Sequence, residues 1–209
     1  DIFLVDDGSY RKPALDVIKD VHFEDWMPTL QLWKCTRDLG FNSHGCRNLI
    51  AHYAQTEIIQ FLDMDMYMYA SDIARLRRMI IEPRDVVHHN CYNTQTQRIS
   101  THPGHMNAFA IYKDLYWEAG GYDESFTGHH YGDREFIRRI LDCPDVIDRH
   151  SGQIVLLNRI GRHGKVTNKV TKTEYLSDDL FLVPLPVPEI EKLKGTKKQR
   201  LDFPFIKLL

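Results

Sequence analysis

Several things are scarce in this 209-residue chain, and each scarcity removes a class of answer. No apolar run approaches the roughly 20 residues of a membrane span, so no transmembrane segment is expected. Charge of one sign is missing as well. With 27 Lys and Arg against 29 Asp and Glu the net charge is -2, which gives no global field to draw nucleic acid, so any basic site has to be local. The four cysteines, Cys35, Cys46, Cys91 and Cys143, show no CxxC spacing, and no charged and apolar leader precedes the first strand, so free thiols in a reducing, cytoplasmic setting are expected. No internal repeat is visible. An initiator Met is also lacking, and the chain opens inside a strand, as expected of a portion of a longer polypeptide. No glycine-rich loop with a basic residue follows the first strand, which argues against a sugar nucleotidyltransferase, the nearest alternative among enzymes. The doubled histidines at 88–89 and 129–130 are adjacent residues that diverge, unlike the HxxxH pair of a metallohydrolase.

What is present, 43% hydrophobic and 27% charged residues, suits one globular domain with a real core. "IFLVDD" (2–7) reads as a strand ending in acids, "GSYRKP" as a turn and "ALDVIKDV" as a helix with Pro13 at its start. Cys46, Leu49, Ile50 and Tyr53 fall on one helical face, and "EIIQFLD" is strand-like. Ser71 is expected to cap "DIARLRRMI", whose Ile73, Leu76 and Ile80 share a face. "DVVHHNCY" and "NAFAIY" read as strands, and "KDLYWEAGG" as a short helix closed by Gly120 or Gly121. "DREFIRRIL" is a helix expected to bury Phe136, Ile137, Ile140 and Leu141, and "QIVLLN" a last strand. This alternation predicts an α/β domain over 1–165 with a mainly parallel sheet flanked by helices, then an extended, Lys-rich segment or linker over 166–209.

Ligands of open α/β sheets bind beyond the carboxyl ends of the strands, so acids placed where a strand runs out carry the interest. Asp6 and Asp7 close one strand, and Asp63 and Asp65 another. In extended chain Asp63 and Asp65 point the same way with Met64 turned aside, an arrangement able to share Mg2+ or Mn2+, which favour carboxylate and phosphate oxygens. Asp-x-Asp alone is a weak signal, since two solvated acids at an exposed strand end give the same pattern.

Four stretches in order, "VDDGS" (5–9), "GCRNLIAHYA" (45–54), "FLDMD" (61–65) and "AGGYDESFTGHHYGDREFIRR" (119–139), make the signal specific. Over about residues 2–140 the chain resembles nucleotide-sugar glycosyltransferases of the GT-A fold, especially glycosyltransferase family 2 and the galactosyl and N-acetylgalactosaminyl transferases. More faintly, the whole chain resembles a glycosyltransferase domain of a large viral protein, which implies the cytoplasm of a host cell.

The resemblance implies a single Rossmann-like GT-A domain, with a nucleotide-binding part at 1–75 and a catalytic part at 76–165. It implies a UDP-sugar donor, a Mn2+ or Mg2+ ion, and a hydroxyl of a glycan or glycoprotein as acceptor. Asp6 and Asp7 match the acids that hold uracil and ribose, while Gly8 and Ser9 suit a turn in any case. Arg47 and Asn48 match the pair beneath the donor; a surface position for Arg47 is the alternative. Asp65 is the implied direct metal ligand, with Asp63 reaching ribose or a metal-bound water, and His163 of "NRIGRHGK" is preferred to His150 as a further ligand.

Asp133 matches the acid that takes the acceptor's proton, and it also suits a helix N-cap. Gly132 departs from the pattern, standing where Glu is usual, and Glu135 is the second catalytic candidate. Trp117 and Tyr131 offer stacking platforms or core packing, and Lys165 a local positive charge. Family 2 enzymes also carry a strand and helix ahead of "VDDGS"; here they are either absent or belong to residues upstream of Asp1. A non-catalytic carbohydrate-binding module is the competing reading, opposed by the intact Asp63, Asp65 and Asp133.

Overall fold

The computed structural model describes residues 1–8, 13–22, 24, 28–37, 39, 42–64, 66–80, 82–93, 97–100, 106–126, 132–156, 165–167, 174–176, 201 and 203–209. In chain order the elements are β1 (Ile2–Asp6), α1 (Ala14–Ile18), β2 (Leu30–Cys35), α2 (Ser43–Tyr53), β3 (Ile58–Phe61), β4 (Met66–Met68), α3 (Ala70–Met79), β5 (Asp85–Asn93), β6 (Arg98–Ser100), β7 (Phe109–Tyr112), α4 (Lys113–Glu118), α5 (Gly132–Leu141), β8 (Ile147–Leu156), β9 (Lys165–Thr167), β10 (Glu174–Leu176) and β11 (Phe205–Lys207). They form two compact units: Asp1–Ala54 with Tyr122–Gly132 and Thr167–Leu209, and Gln55–Gly121 with Asp133–Val166. Each unit is assembled from separate stretches of the chain.

In the first unit β1 runs parallel to β2, with Ile2 opposite Leu30 and Asp6 opposite Lys34. The other edge of β2 takes β11 antiparallel, Phe205 opposite Cys35. Residues 203–209 are thus part of this unit. Leu201, Phe203 and Phe205 recur at every second position, and all three pack into the apolar core of this unit. Phe203 joins Trp33, Cys35, Cys46 and Leu49 in the core, with Val5, Tyr53, Leu201 and Phe205 packed around them. The ring comes so close to α2 that a Cβ on Gly45 would lie 2.6 Å from Phe203 Cε1. Strand β9 pairs with β10 in a separate two-stranded sheet.

The second unit holds a six-stranded sheet in the order β3-β7-β5-β8-β4, with β6 on β5. Only β5–β8 is parallel in it; β3–β7, β5–β7, β4–β8 and β5–β6 are antiparallel. The α/β class holds, but the sheets are mixed where a mainly parallel one was expected. The reason is local: among the described residues no helix separates β5 from β7, and without a crossover the chain returns antiparallel, whereas α4 and α5 lie between β7 and β8. Phe61, Phe109, Tyr116 and Phe136 form the aromatic core, with centroids 5.2 Å apart for Phe61–Phe109 and 4.9 Å for Tyr116–Phe136.

Helix α3 starts at Ala70 with Tyr69 at its cap, so Ser71 lies in the first turn, and Ile73 is exposed while Leu76 and Ile80 are buried. Leu141, at the last position of α5, is also exposed. Strand β8 begins well ahead of "QIVLLN", its polar "IDRHSG" half having masked it. Among the described residues no helix is long and apolar enough to cross a membrane.

Candidate functional site

In the first unit the acids at the end of β1 have distinct surroundings. Asp6 is buried, and its carboxylate accepts hydrogen bonds from the backbone N–H of Gly8 (3.1 Å) and of Ala14 (2.7 Å). It therefore ties the two ends of the loop between β1 and α1, with Gly8 at φ 104°, a conformation that suits glycine. Asp7 is half-buried, and its charge bears on both Cys35 and Cys46. Those two are free thiols with Sγ atoms 3.9 Å apart. The Cys46 thiol and the Asn42 amide, donating to Cys35, hold it below the ordinary thiol range; Cys46 is pushed well up by that same bond and by burial.

Helix α2 supplies the rest of this unit's candidate residues. Arg47 is buried, its guanidinium 5.2 Å above the Tyr122 ring, so the expected alternative of a surface arginine is not what the fold contains. Asn48 is 0% exposed and its amide is engaged on both sides. Its Nδ2 donates to Tyr122 O (2.9 Å) and to Glu124 Oε1 (2.8 Å), and its Oδ1 accepts from Tyr122 N (2.9 Å). Glu124 Oε1 also accepts from Leu201 N at 2.5 Å, joining the C-terminal segment to the same turn. That turn follows Gly120 and Gly121 at φ 88° and 66°, as the glycines of "AGGYDE" suggest.

In the second unit Asp63 follows β3 in a turn closed by Met66 N donating to Asp63 O (3.0 Å). Its Oδ2 accepts from Asn107 Nδ2 at 2.7 Å, a contact of the kind that orients a metal-binding carboxylate. Asp65 and His163 lie outside the described residues, as do Ser9 and Tyr131. Among the described residues no three His, Cys, Asp or Glu side chains gather as a metal site. Lys165 opens β9. His150 stands on β8 opposite His88 of β5, and both face Asp148, with Nε2 to carboxylate distances of 3.8 and 3.6 Å. Burial holds His88 below the ordinary imidazole range; Asp148 opposes this, while His150 and His89 add to it.

Helix α5 carries the two acid candidates. Asp133, its second residue, is half-buried and sits in the first turn, where the helix dipole favours a carboxylate. Glu135 makes a bidentate pair with Arg139, Oε1–Nε 2.7 Å and Oε2–Nη2 2.8 Å, both side chains about nine-tenths buried. Arg139 also donates to Ala119 O, which anchors α5 to the end of α4. Trp117 packs edge-on against Tyr116 at 4.9 Å. Sequence reasoning did not single out Asn107, Tyr122, Glu124 or His44. Only His44 carried a usable signal, being three and four positions before Arg47 and Asn48 on one helical face.

The sequence profile described as Glycosyl transferase family 2 matches residues 1–141. No curated protein sequence matches the chain. Among solved structures, the crystal structure of GalNAc-T7 with UDP, GalNAc and Mn2+ aligns with a TM-score of 0.57 and 14% identity, over 77% of this chain and 38% of that one. The crystal structure of S. aureus TarS 1-349 in complex with UDP gives 0.56 and 16% identity, over 76% of this chain and 49% of that one. At such identities the likeness is one of fold, and this chain spans less than half the length of either.

Proposed function

The chain belongs to glycosyl transferase family 2, and on that premise we propose that it moves a sugar from a UDP-sugar to a hydroxyl of a glycan or glycoprotein acceptor, assisted by Mn2+ or Mg2+. The observation that carries this reading is the reach of the family match, which takes in Asp6, Asp7, Arg47, Asn48, Asp63, Asp65, Asp133 and Glu135. UDP in both solved relatives, and Mn2+ in one, supports it.

Asp6 shapes the loop after β1, and Asp7 accepts the imide N–H and ribose hydroxyls of the nucleotide. Arg47 brings positive charge to the diphosphate, while Asn48 serves the pocket through the turn it clasps. Asp63, oriented by Asn107, with Asp65 and His163, would hold the ion, which when bound supplies charge against the departing diphosphate. Asp133 receives the proton of the acceptor hydroxyl, and Glu135 keeps α5 in place through Arg139.

Calorimetric titration with UDP, with and without Mn2+, followed by UDP-glucose, UDP-galactose and UDP-N-acetylgalactosamine, tests this. UDP binding should depend on Mn2+ and be lost in Asp63→Ala. Asp133→Asn should bind UDP almost normally yet not transfer, and Glu135→Gln should transfer better than Asp133→Asn. Equal loss of UDP affinity in Asp63→Ala and Asp133→Asn would contradict the division of roles.

A further inference from the structure

Gly132, the first residue of α5, has no room for a side chain. A Cβ there would lie 2.3 Å from His44 Nε2, 2.6 Å from Cδ2 and 2.9 Å from Cε1, all atoms of one imidazole. The ring has nowhere to withdraw. His44 is fully buried, with its centroid 5.4 Å from the Tyr122 ring and 6.2 Å from the Phe126 ring, both of them buried as well. Packed interiors of this kind resist displacement. The backbone of α5 therefore begins in van der Waals contact with an imidazole, at the residue immediately before Asp133.

His44 does not act alone on its helix. It shares a face of α2 with Arg47 and Asn48, and that face grips the segment from Tyr122 onward: Arg47 on the Tyr122 ring, Asn48 on the Tyr122 backbone and Glu124. One helical face thus sets both the turn after Gly121 and the start of α5.

We infer that His44 is a positioning residue for glycosyl transfer, fixing through the backbone of Gly132 the place from which Asp133 presents its carboxylate. This rests on the reading of Asp133 as the proton acceptor. The imidazole and the glycine are a matched pair: the ring sets the start of the helix, and the missing Cβ lets the ring sit there. A displacement of about 1 Å in a catalytic group can cost on the order of a hundredfold in rate, so so close a contact has consequences for chemistry well beyond its contribution to packing.

The test uses the purified chain with His44→Ala, Gly132→Ala, the double variant and Asp133→Asn. The readouts are UDP affinity with Mn2+, melting temperature, and turnover of whichever UDP-sugar in the panel above is consumed. Gly132→Ala should lower kcat at least tenfold with UDP affinity unchanged, because the added methyl drives the ring and the helix start apart. His44→Ala should lower kcat as well. In the double variant the methyl occupies space the ring has left, so adding Ala at 132 to His44→Ala should cost nothing further, and kcat should exceed that of Gly132→Ala. If Gly132→Ala does not fold, the comparison of His44→Ala with the double variant still decides. Wild-type kcat in Gly132→Ala or His44→Ala, or a double variant worse than either single one, overturns the inference. Normal turnover in Asp133→Asn instead defeats the reading of Asp133, whatever the His44 variants do.

Discussion

Replacing Asn48 by its near-isostere, aspartate, should destabilise the protein more than truncating it to alanine. Asn48→Ala removes two hydrogen bonds to the Tyr122 backbone, about 1 kcal/mol each, and one to the Glu124 carboxylate, about 2 kcal/mol, roughly 4 kcal/mol in all. Asn48→Asp keeps the bond accepted from Tyr122 N, so its lost bonds come to about 3 kcal/mol. It also sets a second anion where Nδ2 stood, 2.8 Å from Glu124 Oε1 in a buried site. Like charges at about 4 Å repel by about 4 kcal/mol at an effective dielectric of about 20, so the Asp variant should be about 3 kcal/mol worse than the Ala variant. The repulsion raises the pKa of the carboxyl pair in the folded state, so the extra loss should be full at neutral pH and fade as pH falls and the pair takes up a proton. Urea unfolding followed by circular dichroism, at neutral and mildly acidic pH, reads all of this. An Asp variant as stable as the Ala variant, with both defective only in UDP affinity, would refute the clasp and give the amide to the ligand.

Phe203→Ala should cost about 3 kcal/mol, as for buried aromatic truncations, and lower the melting temperature by about 6–12 °C; a shift below about 2 °C would return residues 201–209 to the status of a linker. For His88, burial favours the neutral ring in the fold, so as pH falls below about 6.5 the unfolded chain takes up the proton first. Stability should be intact above that pH and fall below it, with His88→Gln flattening the acid limb of a melting-temperature profile; parallel limbs in the two proteins would show that another group is responsible.

What could be read in advance was local. Strands β1 and β3, ending at or just before Asp6 and Asp63, and helices α2 and α5 were legible because their apolar spacing is uninterrupted. Strand β2 was missed: Leu32, Trp33 and Cys35 are buried on both of its faces, which erases the alternation that marks a strand. Strand β11 was hidden by distance, since its partner lies roughly 170 residues earlier and a Phe-Ile pair after a Lys-rich stretch does not announce it. The same limit applied at the site. Acids could be placed at strand ends, but what holds them could not: Tyr122 under Arg47, Glu124 on Asn48 and Asn107 on Asp63 are all long-range pairings. Glu135 with Arg139 is the exception, four residues apart on a helix and visible as such.

The position of β11 in the three-stranded sheet has a consequence for vectorial synthesis. At about 5–20 residues per second a ribosome needs roughly 10–30 s to travel from β2 to β11. During that interval the outer edge of β2 is unpaired and the place of Phe203 beside Trp33 and Leu49 is unfilled. The six strands of the other sheet, by contrast, are complete by Leu156. The nascent chain thus passes through a stage in which the six-stranded sheet can already be folded while the three-stranded sheet exposes a strand edge open to mispairing. A chaperone requirement during translation should accordingly be relieved by supplying residues 201–209 early, for instance as a peptide in trans.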